Sequence, residues 1–173
     1  MASVFDSLGS ETVELKLRCG GQEFVFELRP ITLGFQKFIA KRYGMVKGAG
    51  SVDEDRANRV FRDLLTGKDV EGVEDNDLEV CRIVFELFTP ESREELFRRV
   101  EPYQERDNGG NLVERNYHGN ERLYSLAMCG GDVAHAKTAG ENWLAIMQSL
   151  GAVFHAHRKN NGVAQKKTAG LSL

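Results

Sequence analysis

The fold is decided by residues 12–43, TVELKLRCGGQEFVFELRPITLGFQKFIAKRY. Two runs in which apolar and polar residues alternate flank the pair Gly20-Gly21, and this pattern predicts an antiparallel β-hairpin with a two-residue loop. The predicted register places the apolar side chains opposite one another on one face: Leu17 with Phe24, Leu15 with Phe26 and Val13 with Leu28. A hairpin with one apolar face is marginally stable alone, so another element must cover it.

The segment that follows the hairpin is predicted to be this covering helix. After Pro30, apolar residues recur at helical spacing: Ile31, Phe35, Phe38, Ile39 and Tyr43. Gly44 stands where a glycine commonly ends a helix.

Most of the remaining chain has a helical pattern. Ser51 begins a capping box, Asp77 and Thr89 are candidate N-caps, and Pro90 is expected to open a helix that extends to about Gln104. Further helices are predicted over 121–128 and about 133–159, the latter with Gly140 and Gly151 as candidate breaks. The fold class is therefore α+β, mostly helical, with an N-terminal antiparallel β-hairpin packed under a helix.

The domain organisation follows from a run of turn-forming residues, Asp107-Asn108-Gly109-Gly110-Asn111. We expect residues 1–106 to hold the hairpin and a helical core, and 112–159 to form a helical C-terminal part. The alternative is that this part belongs to the same domain. Residues 160–173 have almost nothing to bury and are predicted to be a flexible tail.

Charge is unevenly distributed along the chain, whose net charge is −3. Residues 51–107 carry 17 acidic and 9 basic side chains, whereas no acid follows Glu141. Four positive charges near the C-terminus, without interleaved aromatic residues, are only weak evidence for nucleic-acid binding. We prefer the interpretation that they form a solubilising terminus. Scattered cysteines and the lack of a long apolar run favour a soluble, cytoplasmic protein without a membrane segment.

No catalytic, metal or cofactor site is predicted. His155 and His157 are two residues apart, so on a helix their side chains diverge and do not suit one metal ion. The acidic stretch 69–77 lacks the glycine and glutamate positions of a calcium loop. The paired glycines do not fit a phosphate-binding pattern, and no GxSxG sequence is present. We therefore expect a protein that is not an enzyme.

A partner-binding surface is the candidate site, on the last long helix. Trp143, Met147 and Phe154 lie beyond the glycine-rich break, on a stripe that also includes Leu144 and Leu150. A flexible methionine beside large aromatic residues is typical of adaptable grooves that bind amphipathic helices. The alternative is that these side chains pack onto the main core.

Residues 26–33, FELRPITL, at the end of the hairpin and the start of a helix, resemble the corresponding segment of bacteriophage tail assembly chaperones. The resemblance covers roughly the first quarter of the chain. It implies a non-catalytic protein of the host cytoplasm that binds the tape measure protein and tail tube protein during phage tail morphogenesis. Lys166 and Lys167, in the C-terminal segment, are further candidate partner-binding residues, because this segment would recruit tail tube subunits. Members of this family often also exist as a longer product of ribosomal slippage, for which Lys166 and Lys167 mark a candidate adenine-rich site.

Two alternatives to the chaperone remain open. The first alternative is a structural virion protein of the tail or neck, which could have the same arrangement of hairpin and helices. A small nucleic-acid-binding protein or enzyme is the second alternative. The sequence does not indicate the oligomeric state.

Overall fold

The N-terminal part of the chain forms the predicted hairpin. This computed structural model describes residues 12–42, 54–101, 105–113, 118–128 and 136–171. Strands β1 (Val13–Cys19) and β2 (Gln22–Leu28) pair antiparallel, with Leu17 opposite Phe24 and Val13 opposite Leu28. Gly20 and Gly21 both have positive φ, at 59° and 78°, as the turn of a two-residue hairpin requires. The predicted register is confirmed.

Six helices and a second, very small hairpin complete the described structure. The helices are α1 (Leu33–Arg42), α2 (Glu54–Leu65), α3 (Asn76–Leu87), α4 (Pro90–Arg99), α5 (Gly119–Met128) and α6 (Ala136–Leu171). The small hairpin pairs β3 (Glu105–Arg106) with β4 (Leu112–Val113). The α+β, mostly helical fold class is confirmed.

The apolar face of the first hairpin lies against several helices. α6 runs along β1, α5 also contacts β1, and α4 contacts β2. The sequence predicts α1 as the covering helix, and α1 contributes Phe35 and Ile39 to the same core. The main cover of the hairpin is thus α6, which is distant in sequence.

A single hydrophobic cluster joins residues from both sides of the turn at 107–111. Its largest fully buried side chains are Leu15, Leu17, Phe26, Leu28, Ile83, Leu87, Phe88, Leu96, Leu123, Ile146 and Leu150. Phe26 and Phe88 stack at its centre, with ring centroids 4.9 Å apart. α5 and α6 therefore contribute to the same core as the hairpin.

Helix starts follow local capping chemistry. Thr89 caps α4 as predicted, because its hydroxyl accepts the N–H of Ser92, and Pro90 is the first helical residue. For α3, the predicted cap Asp77 is wrong. The carboxylate of Asp75 instead accepts the N–H groups of Asp77 and Leu78.

α4 ends at Arg99, before the predicted end at Gln104. The guanidinium of Arg122 donates to the carbonyls of Phe97 and Val100, which satisfies acceptors that the end of a helix leaves unpaired. Arg122 also lies over the Phe97 ring, 4.8 Å from its centroid. Phe97 follows the buried Leu96 in sequence, but its own side chain is 45% exposed.

α6 is continuous through Gly140 and Gly151, so neither glycine breaks it. Its backbone remains helical to Leu171, through most of the segment for which the sequence predicts a flexible tail. The predicted cap at Ser51 and helix end at Gly44 lie outside the described residues.

Candidate partner-binding surface

Residues of α6 that face β1 form a buried stripe. This stripe consists of Asn142, Ile146, Ser149, Leu150 and Val153. Because a helix turns by about 100° per residue, Trp143, Met147 and Phe154 lie together on the neighbouring flank. All three are half-buried at the margin of the core. The structure thus brings these predicted site residues onto one flank.

Leu144 extends this flank towards solvent. It was expected on the apolar stripe with Leu150, but its side chain is 57% exposed. Helical geometry places Leu144 about 60° around the axis from Met147. We call Trp143, Leu144, Met147 and Phe154 together the α6 flank.

α2 borders the α6 flank at one end. The rings of Phe61 in α2 and Phe154 lie with centroids 4.8 Å apart and planes tilted by 41°. Phe154 is therefore engaged in packing within the protein, whereas Leu144 presents most of its surface to solvent. The apolar surface open to a partner is centred on Trp143, Leu144 and Met147.

Polar contacts from three points of α6 fix its position. The Asn142 amide bonds to the backbone of Arg18, and the Ser149 hydroxyl donates to the carbonyl of Glu14 at 3.3 Å. Further along, the side chains of His157 and Gln36 of α1 are hydrogen-bonded at 3.0 Å. A side chain on the α6 flank is therefore presented from a rigid scaffold, which lowers the entropic cost of binding.

Lys166 and Lys167, the other predicted site residues, are not part of the α6 flank. Their backbone belongs to α6. At 1.5 Å per residue, Lys166 lies about 28 Å along the helix axis from Met147. A partner that contacts both regions would have to be elongated.

The described residues contain no group of three or more His, Cys, Asp or Glu side chains placed to hold a metal ion. Complete burial raises the pKa of the Cys81 thiol, with smaller contributions from Asp77 and Asp75. This thiol therefore stays protonated and is a poor nucleophile. None of the helices in the described ranges has an apolar stretch long enough to span a bilayer.

A comparison with known proteins gives no relative from which a function can be transferred. No protein-family model, curated protein or solved structure matches this chain. The candidate surface is therefore defined by the geometry of α6.

Proposed function

We propose that this protein is a non-catalytic tail assembly chaperone, which binds the tape measure protein and tail tube subunits during phage tail morphogenesis in the host cytoplasm. The observation that carries this proposal is the α6 flank, a partly exposed apolar surface on a rigid helix. Its methionine and aromatic side chains suit the apolar stripe of a long amphipathic helix.

The segment 26–33, which carries the family resemblance, has a defined structural role. Phe26 and Leu28 are buried in the core, and Leu28 forms an isolated bridge with Phe88. Thr32 then caps α1, because its hydroxyl accepts the N–H of Phe35. The resemblance thus lies in residues that join the hairpin to the helical part. This supports a similarity in fold between this chain and the tail assembly chaperones.

The proposed mechanism is the sheltering of apolar surface. Before assembly, a tape measure protein would expose hydrophobic stripes that favour aggregation. Docking of such a stripe on Trp143, Leu144 and Met147 would remove both apolar surfaces from water, worth roughly 25 cal/mol per Å² before the costs of association. The C-terminal part of α6, with Lys166 and Lys167, remains as a separate region for tube subunits.

Co-expression with a tape measure fragment tests the role. We expect the wild-type protein to raise the soluble yield of a fragment that contains amphipathic helices. Leu144→Glu places a charge on the exposed part of the α6 flank and is expected to abolish most of this gain. The double variant Trp143→Ala, Met147→Ala should have the same effect, provided that its thermal unfolding shows a folded protein.

Ala152→Glu is the matched control. Ala152 is an exposed apolar residue of the same helix, about 140° around the axis from Met147. It receives the same charge away from the α6 flank and should retain the wild-type gain. If the wild-type protein gives no gain, the chaperone role is wrong; if Leu144→Glu acts like the wild type, the assignment of the surface is wrong.

The stoichiometry of purified particles separates the chaperone from a structural virion protein. A chaperone is expected in the cell lysate and absent from finished tails. A fixed number of copies in each particle would contradict the proposal and favour a tail or neck component.

A further inference from the structure

The turn between β3 and β4 is a short loop closed by backbone hydrogen bonds. The N–H of Asp107 donates to the Asn111 carbonyl at 2.9 Å, and the N–H of Gly110 donates to the Asp107 carbonyl at 3.0 Å. Gly110 has a positive φ of 78°. This is the pattern of a type I turn followed by a left-handed residue, with Asn108 and Gly109 at the central positions of the turn. We call this segment the 107–111 turn.

Asn108 and Gly109 form a pair that can react with itself. The backbone nitrogen of the residue after an asparagine can attack the side-chain amide carbon, and a side chain on that residue hinders the attack. Glycine has no side chain. Asn108 and Gly109 are both exposed, and the Asn108 side-chain amide makes no hydrogen bond to another described residue. Water therefore reaches the pair, and nothing in the described ranges holds the amide group in place.

The 107–111 turn restrains this reaction through Asp107. The N–H of Gly109 donates to Oδ1 of Asp107 at 2.9 Å, and the N–H of Asn111 donates to the same oxygen at 2.9 Å. The Gly109 nitrogen must lose its proton before it attacks, whereas the carboxylate holds that proton and disfavours a second negative charge nearby. Ring closure also requires this nitrogen to eclipse Cβ of Asn108, and the ψ of about −30° at this turn position keeps the two atoms apart.

We propose that Asn108 is a site of spontaneous deamidation, and that Asp107 limits its rate by keeping the turn closed. The reaction occurs when the turn opens, because the Gly109 nitrogen is then released and can align with the Asn108 side chain. This inference is independent of the α6 flank and of the chaperone role, since it concerns another segment and requires no partner protein.

Deamidation proceeds in two steps, with water as the only other reactant. In the first, a bond forms between the Gly109 nitrogen and Cγ of Asn108, the bond from Cγ to Nδ2 breaks, and ammonia leaves with the proton of the Gly109 amide. The product is a five-membered succinimide ring. In the second, water hydrolyses one of the two ring carbonyls. Opening at Cγ gives aspartate, whereas opening at the main-chain carbonyl gives isoaspartate, in which the main chain runs through Cγ.

The modification is expected to change the turn without unfolding the core. Isoaspartate lengthens the main chain by one carbon atom, so the hydrogen bonds that close the 107–111 turn no longer match. All residues of the turn are exposed, and none of them belongs to the hydrophobic cluster. The expected product is therefore a folded protein with an altered connection between β3 and β4 and one additional negative charge.

Mass spectrometry of proteolytic fragments measures the reaction directly. The full-length protein and a capped peptide of residues 105–113 are incubated side by side at mildly alkaline pH. We expect conversion of Asn108 in both, about tenfold more slowly in the protein, because opening of the turn breaks hydrogen bonds to a charged group. Asn111 is followed by Leu112 instead of glycine and should stay unmodified as the internal control. Fragment mapping separates this site from the other Asn-Gly pair, at 161–162.

Variants of Asp107 test whether the turn controls the rate. Asp107→Ala removes the side-chain acceptor, and we expect Asn108 in the protein to convert about fivefold faster. The same change in the peptide should alter the rate less than about twofold, because a short isolated hairpin is marginally stable. Asp107→Ser keeps an oxygen that accepts the Gly109 N–H, so its rate should lie between those of Asp107→Ala and the wild type.

Gly109→Ala tests the attacking residue. A Cβ atom at Gly109 would lie 3.4 Å from Oδ1 of Asp107 and 3.4 Å from Nδ2 of Asn111, so the turn has room for it. Because this methyl group hinders the attack, conversion of Asn108 should become slower in both the protein and the peptide. Thermal unfolding of the variant should match that of the wild type.

Three results would overturn the proposal. No conversion of Asn108 in the protein, after incubation long enough for half conversion at the expected rate, would show that the site does not react in the folded chain. Equal rates in the protein and the peptide would show that the turn does not restrain Asn108. An unchanged rate in the Asp107→Ala protein would contradict the role of Asp107.

Discussion

Asn142 and Arg18 are joined by two hydrogen bonds in the manner of neighbouring strands. The N–H of Arg18 donates to Oδ1 of Asn142 at 2.7 Å, and Nδ2 of Asn142 donates to the carbonyl of Arg18 at 2.6 Å. The side-chain amide of α6 thus takes the place of a third strand at the β1 edge. Asn142 is 2% exposed, so its side-chain amide is almost fully withdrawn from water.

Replacement of Asn142 by leucine should destabilise the protein by about 2–4 kcal/mol. Leucine is similar in volume but leaves two polar groups of the Arg18 backbone without their buried partner, and each such loss costs roughly 1–3 kcal/mol. Urea unfolding, followed by circular dichroism, measures the change. Gln148→Ala, at an exposed position of the same helix, should stay within about 0.5 kcal/mol of the wild type. An Asn142→Leu variant as stable as this control would contradict the assigned role.

Gly119, the first residue of α5, is predicted to tolerate no side chain. A Cβ atom at this position would lie 2.1 Å from the Phe85 ring. That ring contacts the rings of Phe88 and Phe97 and so has little room to move. Gly119→Ala is expected to cost about 1–3 kcal/mol in unfolding free energy, because an overpacked core must shift.

Gly140→Ala in α6 is expected to raise the free energy of unfolding. A Cβ atom there meets nothing within 4 Å, and alanine is favoured over glycine in a helix by about 1 kcal/mol. Thermal unfolding of both variants gives a matched comparison. Similar stability of Gly119→Ala and Gly140→Ala would contradict the packing of α5 against α3.

The Cys81 thiol is predicted to react only when the protein opens. It is fully buried, and burial raises its pKa, so the reactive thiolate is suppressed. In the background Cys19→Ser, Cys129→Ser, labelling with Ellman's reagent should be slow in native buffer and should accelerate with the unfolded fraction in urea. Labelling as fast as that of a free thiol in native buffer would show that α3 is not packed as described.

Local chemistry explains which parts of the fold the sequence predicts. The hairpin register follows from the alternation around Gly20-Gly21, and the start of α4 follows from Thr89 and Pro90. Both patterns depend on residues within a few positions of each other. They are therefore visible without any tertiary contact.

Features set by distant contacts could not be predicted in this way. Arg18 and Asn142 are 124 positions apart, and nothing near either residue indicates that α6 covers β1. Phe97 fits a buried apolar stripe, yet its ring is at the surface beneath the Arg122 guanidinium. Asp75 and Asp77 are both acceptable N-cap residues in sequence. Only the structure shows that Asp75 has the extended backbone of an N-cap, whereas Asp77 already lies within the helix.

The candidate surface was predictable in part. The helical spacing of Trp143, Met147 and Phe154 places them on one flank, as the structure has them. The exposure of Leu144 and the packing of Phe154 on Phe61 depend on how α6 and α2 sit on the core. The sequence does not indicate these positions.

Trp143 is the only tryptophan of the chain and lies on the α6 flank, so its fluorescence tests the central claim directly. A tryptophan-free tape measure fragment with amphipathic helices should be titrated into the full-length protein. Binding at the α6 flank predicts a saturable shift of the emission to shorter wavelength, because the part of the indole still open to solvent is removed from water, and Leu144→Glu should abolish the shift. Unchanged emission on addition of the fragment, or a shift that Leu144→Glu leaves intact, would contradict the proposed client surface.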